Sequence, residues 1–155
     1  PLLWRLHKIH HTDLDFDVTT AVRFHPVEII LSLIYKVIIV SLLGAPVVAV
    51  LIFELILSTS ALFNHSNIAI PVSWDRRLRW LLVTPDMHRI HHSTDQRETD
   101  SNFGFSISVW DRVFGTYTAE PAMGHDDMEI GLSQYRYSPT VTLKKLLLMP
   151  FKSRV

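Results

Sequence analysis

The chain of 155 residues contains no cysteine, which excludes disulfides, thiolate-bound haem, cysteine-held iron–sulfur clusters and cysteine zinc sites. It also lacks a charge excess of either sign. Its 15 Lys and Arg balance 15 Asp and Glu, so no overall field draws it to nucleic acid, and none is expected as a partner. There is no His-Glu-x-x-His and no Gly-x-Ser-x-Gly, the motifs of a zinc protease base and of a serine hydrolase elbow. Glu-x-x-His is missing too, which sets aside the carboxylate di-iron bundle pattern. No signal peptide or initiator Met opens the sequence. It starts mid-pattern at Pro1-Leu2-Leu3-Trp4 and is expected to be a fragment lacking an N-terminal part.

What the chain does have is histidine, nine residues in all, placed with a regular spacing. Met87-His88-Arg89-Ile90-His91-His92 sets imidazoles at i, i+3 and i+4, positions that share one face of an α-helix. Thr84 is a good N-cap and Pro85 suits the first helical position, so a helix start is written just upstream. The pattern recurs as Leu6-His7-Lys8-Ile9-His10-His11-Thr12: apolar, His, basic, Ile, His, His, hydroxyl. Neutral imidazole is the commonest protein ligand for iron, zinc or copper. Two copies of so unusual a spacing point to a metal site rather than to two solvated, His-rich turns.

Hydrophobic residues make up 48% of the chain and mean hydropathy is +0.20, with the apolarity gathered in one block. Val27 to Leu43 is nearly continuous aliphatic, broken by Glu28, Ser32, Lys36 and Ser41. After Gly44-Ala45-Pro46 the run resumes from Val47 to Phe63, with Glu54 inside. Each run of about 17 residues makes roughly 26 Å of helix, near the lower limit for crossing a hydrocarbon core. So short a connector permits only a tight turn, which predicts an antiparallel transmembrane hairpin whose outer ends, and hence both His clusters, lie on one membrane side. Of the Lys and Arg residues only Lys36 falls within the hairpin, and the positive-inside rule then puts the clusters in the cytoplasm. Lys36 and Glu54 lie at similar distances from the tip and are expected to pair across it. The alternative is a buried hairpin in a soluble protein. The expected fold is all-α: a single domain, residues 1–155, with an integral membrane helical hairpin and a cytoplasmic helical His-rich cap.

The remaining segments carry weaker signals. His65 sits where the second run leaves the membrane, a position where an ionisable group is a functional candidate. Asp13 either orients an imidazole or belongs to a solvated turn. His25, just before Pro26, reads as structural or as a support to a metal ligand rather than as a ligand, and His125, beside Asp126 and Asp127, as a surface residue. Ser73 is expected to cap a helix from Trp74 to Val83, with Leu78, Leu81 and Leu82 opposing Arg76, Arg77 and Arg79 as a basic amphipathic turn in the membrane interface. Ser93 to Asn102 reads as a loop. In Phe103 to Tyr117, Ile107, Trp110 and Phe114 fall at helical spacing, with Gly115 as the stop. Glu120 to Pro139 is polar. Leu143 to Phe151, bracketed by Lys144, Lys145, Lys152 and Arg154, reads as a second interfacial anchor.

Seven candidate metal ligands emerge: His7, His10, His11, His65, His88, His91 and His92. They exceed the four donors of one tetrahedral zinc, so two metal ions are the economical reading. Imidazole-rich ligation at a membrane surface suits non-haem iron that activates dioxygen against an unreactive C–H bond of a lipid.

Pro1 to Asp13, Arg23-Phe24-His25-Pro26, Asn64-His65-Ser66-Asn67, Pro85 to His92, and Asn102-Phe103-Gly104 with Trp110-Asp111-Arg112 together resemble the fatty acid hydroxylase/sterol desaturase superfamily. The resemblance implies an integral membrane di-iron oxygenase that hydroxylates or desaturates a sterol or fatty acyl lipid. By the same likeness, electrons come from a b-type cytochrome, a ferredoxin or a similar donor, and the seven histidines hold the metals. It further implies a His-x-x-x-His upstream of Pro1, so the chain by itself is expected to be short of roughly two ligands and inactive. A His that some relatives carry near Asn67 is also absent. The competing readings are a zinc-dependent membrane lipid hydrolase and a lipid-binding relative with a degenerate site.

Overall fold

The computed structural model describes residues 2–136 and 142–152. Pro1, Pro139 and Arg154, which bound three of the segments above, lie outside the described residues. Among the described residues the regular structure is helical: α1 (Leu2–His7), α2 (Pro26–Leu43), α3 (Val47–Asn64), α4 (Val72–Leu78), α5 (Pro85–His91), α6 (Gln96–Thr99), α7 (Val109–Phe114), α8 (Gly124–Asp127), α9 (Ser133–Arg136) and α10 (Leu143–Leu148), with 3₁₀ turns at His10–Thr12, Thr20–Val22 and Met149–Phe151. Extended pairing is confined to isolated bridges at Leu82–Ile107 and Ser93–Ile130. The all-α reading holds.

The hairpin follows from its ends. Pro26 opens α2 at the first helical position, and the His25 ring caps it, Nδ1 accepting from the Val27 amide at 3.1 Å. Gly44 takes the left-handed conformation, φ 60, and the Ala45 amide reaches back to the Val40 carbonyl at 3.2 Å, a closure that favours glycine at that position. Pro46 then starts α3. Both helices are long and apolar enough to cross a membrane. No residue of α2 is buried, and in α3 only Asn64 is. That exposure is the opposite of a soluble protein's core hairpin. Lys36 Nζ meets Glu54 Oε1 at 2.6 Å, the pairing read from the sequence. Elsewhere the two helices touch little, and their side chains line a cavity of about 470 Å³ between Leu33 and Glu54.

The cap is closed over the open end of this hairpin by α1 against α2 and α5 against α3. Two expectations are corrected here. α4 spans Val72–Leu78 with no side-chain cap, shorter than the Trp74–Val83 helix expected. Its supposed polar face is divided: Arg79 is buried, paired with Asp75 and donating to the Ala119 carbonyl at 2.5 Å, because the chain turns at Arg79–Leu82 and folds that guanidinium inward. Trp74, Trp80 and Leu81 remain exposed. The helix in Phe103–Tyr117 is α7 alone, which Gly115 ends at φ 70. Ile107 instead bridges to Leu82, while Trp110 and Phe114 face outward.

Candidate metal centre

The second His motif is a helix as its caps require. Thr84 Oγ1 accepts from the Met87 amide at 3.4 Å, Pro85 opens α5, and His92 follows its last turn. The first motif does not continue as one helix. α1 stops at His7, a turn covers Lys8 and Ile9, and His10–Thr12 is 3₁₀ without a side-chain cap. Even so, all seven candidate imidazoles converge. His10, His65, His88 and His92 form one group and His7, His11 and His91 another, the ring nitrogens of each lying within 4.8 Å of one another. Each group draws on both motifs.

Within the larger group, His65 Nε2 lies 3.0 Å from His10 Nε2 and 3.1 Å from His88 Nε2. Two nitrogens about 2.1 Å from one ion and at right angles stand about 3.0 Å apart, so the spacing suits donors to a common cation. Neighbouring oxygens set three tautomers. His65 Nδ1 donates to the Ala61 carbonyl at 2.7 Å, His91 Nδ1 to the Ser101 carbonyl at 2.9 Å, and His7 Nδ1 to Glu28 Oε1 at 2.9 Å. Each donation leaves Nε2 with its lone pair facing the group, the arrangement that second partners impose on metal-binding histidines.

Burial dominates the electrostatics. It depresses the His10 pKa to about 2 and the His91 pKa to about 4, aided by the neighbouring His7 imidazole in each case. Burial, then adjacent imidazoles, holds His11, His88 and His92 well below the ordinary value, and burial lowers His65. The rings are therefore neutral and able to donate to a cation. Both nitrogens of His11 and of His92, with Nδ1 of His10 and His88, are buried and meet no hydrogen-bond partner. So many orphaned buried nitrogens are costly unless something else satisfies them. A cation held by each group would take up one nitrogen of each ring, and the residues present fit one.

Aromatic rings wall the groups. Phe24 stacks on His10 at 4.7 Å, Phe16 meets His92 edge-on at 4.8 Å, Trp4 lies 5.1 Å from His11 and Phe103 lies 5.5 Å from His91. Phe16 achieves this with a left-handed backbone, φ 47, a conformation rare for a bulky residue. Sequence reading missed its role and gave Phe24 none beyond the resemblance. It also missed Glu28, treated as a break in an apolar run; its acidic character at the start of α2, near a His cluster, was the available signal. Asp13 neither orients an imidazole nor sits in solvent. It is buried and accepts from Thr20 Oγ1 at 2.7 Å, with Arg23 Nε at 3.5 Å. His25 stays outside both groups, joining α2 to α10 through Nε2 and the Leu147 carbonyl at 3.2 Å. His125 stands apart beside Glu120 at 3.5 Å.

The Asn-Phe-Gly and Trp-Asp-Arg stretches act together. Asp111 accepts from the Phe103 and Gly104 amides at 2.7 and 2.8 Å, and Asn102 Nδ2 donates to the Met87 carbonyl at 3.0 Å, fixing Phe103 beside His91. A side chain at Gly104 would come within 2.6 Å of Asp111, so the close approach itself requires glycine.

The fatty acid hydroxylase family matches residues 1–116, a span that includes every histidine of both groups. The chain belongs to this family. Ornithine lipid hydroxylase OlsE of Rhizobium tropici is 30% identical over 128 residues, covering 83% of this chain and 38% of that protein. The alkylglycerol monooxygenases of Xenopus tropicalis and Homo sapiens are 28% and 27% identical over 124 residues, which cover 77% of this chain and 26% of each relative. The chain thus spans only about a quarter to two fifths of the length of these members of the family. No solved structure matches it.

Proposed function

We propose that the protein is a membrane-embedded lipid oxygenase that hydroxylates or desaturates a C–H bond of a sterol or fatty acyl lipid with dioxygen. One non-haem iron is held by His10, His65, His88 and His92, and a second by His7, His11 and His91. The observation that carries this reading is the gathering of seven imidazoles into two adjoining groups at the mouth of an apolar, outward-facing hairpin. The names of the relatives, a lipid hydroxylase and monooxygenases, support it.

Bound iron supplies the redox chemistry that turns dioxygen on an unreactive C–H bond. The protein's own residues do the rest. Glu28, Ala61 and Ser101 hold three rings in the tautomer that presents Nε2. Phe16, Phe24 and Phe103 keep water from the imidazoles. A cavity of about 470 Å³ between α2 and α3, bordered by Phe24, Glu28, Ser58 and Phe105, opens the site toward the hairpin and offers a lipid chain a route to it. In hydroxylation one oxygen atom enters the C–H bond and the other leaves as water. The carbon gives two electrons, and a b-type cytochrome, ferredoxin or similar carrier gives two more along with two protons from solvent.

The full-length protein supplied with lipid, such a donor and ¹⁸O₂ is expected to place the label in a lipid alcohol on hydroxylation, or to give an alkene with the label in water on desaturation. A cleaved lipid that carries no ¹⁸O from dioxygen but takes ¹⁸O from labelled water in a parallel reaction would establish the competing hydrolase reading. The groups are assigned to the cytoplasmic side from the distribution of Lys and Arg. Because the chain has no cysteine of its own, Ala45→Cys and Thr94→Cys test this cleanly: the first should be labelled from outside and the second from the cytoplasm, and labelling of both from one side would refute the two-span topology.

A further inference from the structure

Outside the two imidazole groups, the turn after α1, helix α9 and the α10–3₁₀ segment meet around a cavity of about 130 Å³ lined by Lys8, Tyr135, Lys145, Met149 and Lys152. Its polar lining is one-signed: three ammonium groups and a phenol, with no carboxylate among the described residues. Four arginines of the cap are held differently. Arg23, Arg79, Arg89 and Arg136 each lie against a carboxylate, Asp13, Asp75, Asp86 and Glu129 respectively. Among the described residues no carboxylate pairs with Lys8 or Lys152, although Lys8 is only 8% exposed. A lysine that buried is almost always partnered. The surroundings indicate the partner's other half: Leu143, Leu148 and Phe151, on the same α10–3₁₀ segment, are exposed apolar side chains. Cationic groups beside exposed apolar ones match the boundary of an anionic bilayer.

We propose that this pocket binds a phosphate group, carried by an anionic membrane lipid whose acyl chains lie along Leu143, Leu148 and Phe151. The phosphate oxygens accept from the lysine ammonium groups and the Tyr135 hydroxyl, charge-assisted bonds that a cavity of this size accommodates. Since Lys8 lies between His7 and His10 in the first motif, an occupied pocket fastens that motif to the C-terminal segment. The inference does not depend on the oxygenase reading.

The test titrates full-length protein in a neutral detergent with phosphatidic acid, read by native mass spectrometry, and in parallel with inorganic phosphate alone. Lys8→Gln and Lys152→Gln are each expected to weaken phosphatidic acid binding about tenfold, while Lys144→Gln, outside the pocket, leaves it unchanged. Lys152 is remote in sequence from the histidines, so its variant stays informative if Lys8→Gln fails to fold. Equal binding by all three variants and the parent overturns the proposal, as does an equal loss in Lys144→Gln, which would mark diffuse surface charge. Inorganic phosphate binding as tightly as the lipid, with the same dependence on Lys152, would keep the phosphate site and overturn its lipid source.

Discussion

In the second His motif Thr84 and Pro85 start a helix that carries His88 and His91 to its last turn, with His92 just beyond. In the first, Leu3 and Trp4 stand at the corresponding positions, the helix ends at His7, and His10 and His11 sit on a 3₁₀ turn. The spelling of the two motifs is nearly the same and the backbones differ. Their contributions are complementary. The first gives one ring to the group of four and two to the group of three; the second gives two and one. A spacing that allows one helical face does not impose it. Where the cap is missing, packing decides, and here the packing against α2 and the second motif turns the rings inward one by one.

The two groups also differ in depth. The four rings around His92 are all buried, whereas His7 keeps a side chain 32% exposed and leans on Glu28. If the groups are separate metal sites, full-length His92→Ala should abolish turnover and lose one metal per chain, and His7→Ala should abolish turnover while the ion of the four-ring group stays. Metal content measured per chain decides: loss of all metal in His7→Ala would show that the two groups fill only as one unit. A smaller effect is expected at the partner of that exposed ring. Glu28→Gln keeps a hydrogen bond but removes the charge, and should weaken metal binding by the three-ring group about 10- to 100-fold, the usual cost of losing such a support. Chelator competition that finds no change would leave Glu28 with a structural role alone. The smallest effect tests the caps themselves. Thr84→Ala should lower stability by about 1 kcal/mol, read as a lower Tm, with metal content unchanged at saturating metal. No shift in Tm would mean that packing, not the cap, starts α5.

Much of this was legible in the sequence because it depends on local rules. The hairpin ends follow from Pro26, Gly44 and Pro46, and the observed helices extend the expected runs by one residue each. The Thr84–Pro85 start and the Lys36–Glu54 pair needed only capping chemistry and a count from the tip. The misses are long-range. Nothing local says that Glu28 folds back on His7, 21 positions away, or that Phe16 adopts a left-handed backbone to cover His65 and His92. Arg79 reads as a solvated face until Ala119 and Asp75 enclose it. The division of seven rings into four and three is a property of the closed cap, since neighbouring histidines such as His10 and His11 part company.

The mixed ancestry of each group has a consequence for biogenesis. While the ribosome has delivered only the first motif and the hairpin, each nascent site holds two of its imidazoles, His10 with His65 and His7 with His11. Both wait for the stretch from His88 to His92, which is translated after the hairpin is complete and free to enter the bilayer. If the groups hold metal as proposed, its acquisition is thereby deferred until insertion is done. A chain that stalls before His88, or in which only one helix of the hairpin crosses, keeps its two motifs apart, so on the oxygenase reading proposed above no complete donor group forms on a half-made protein.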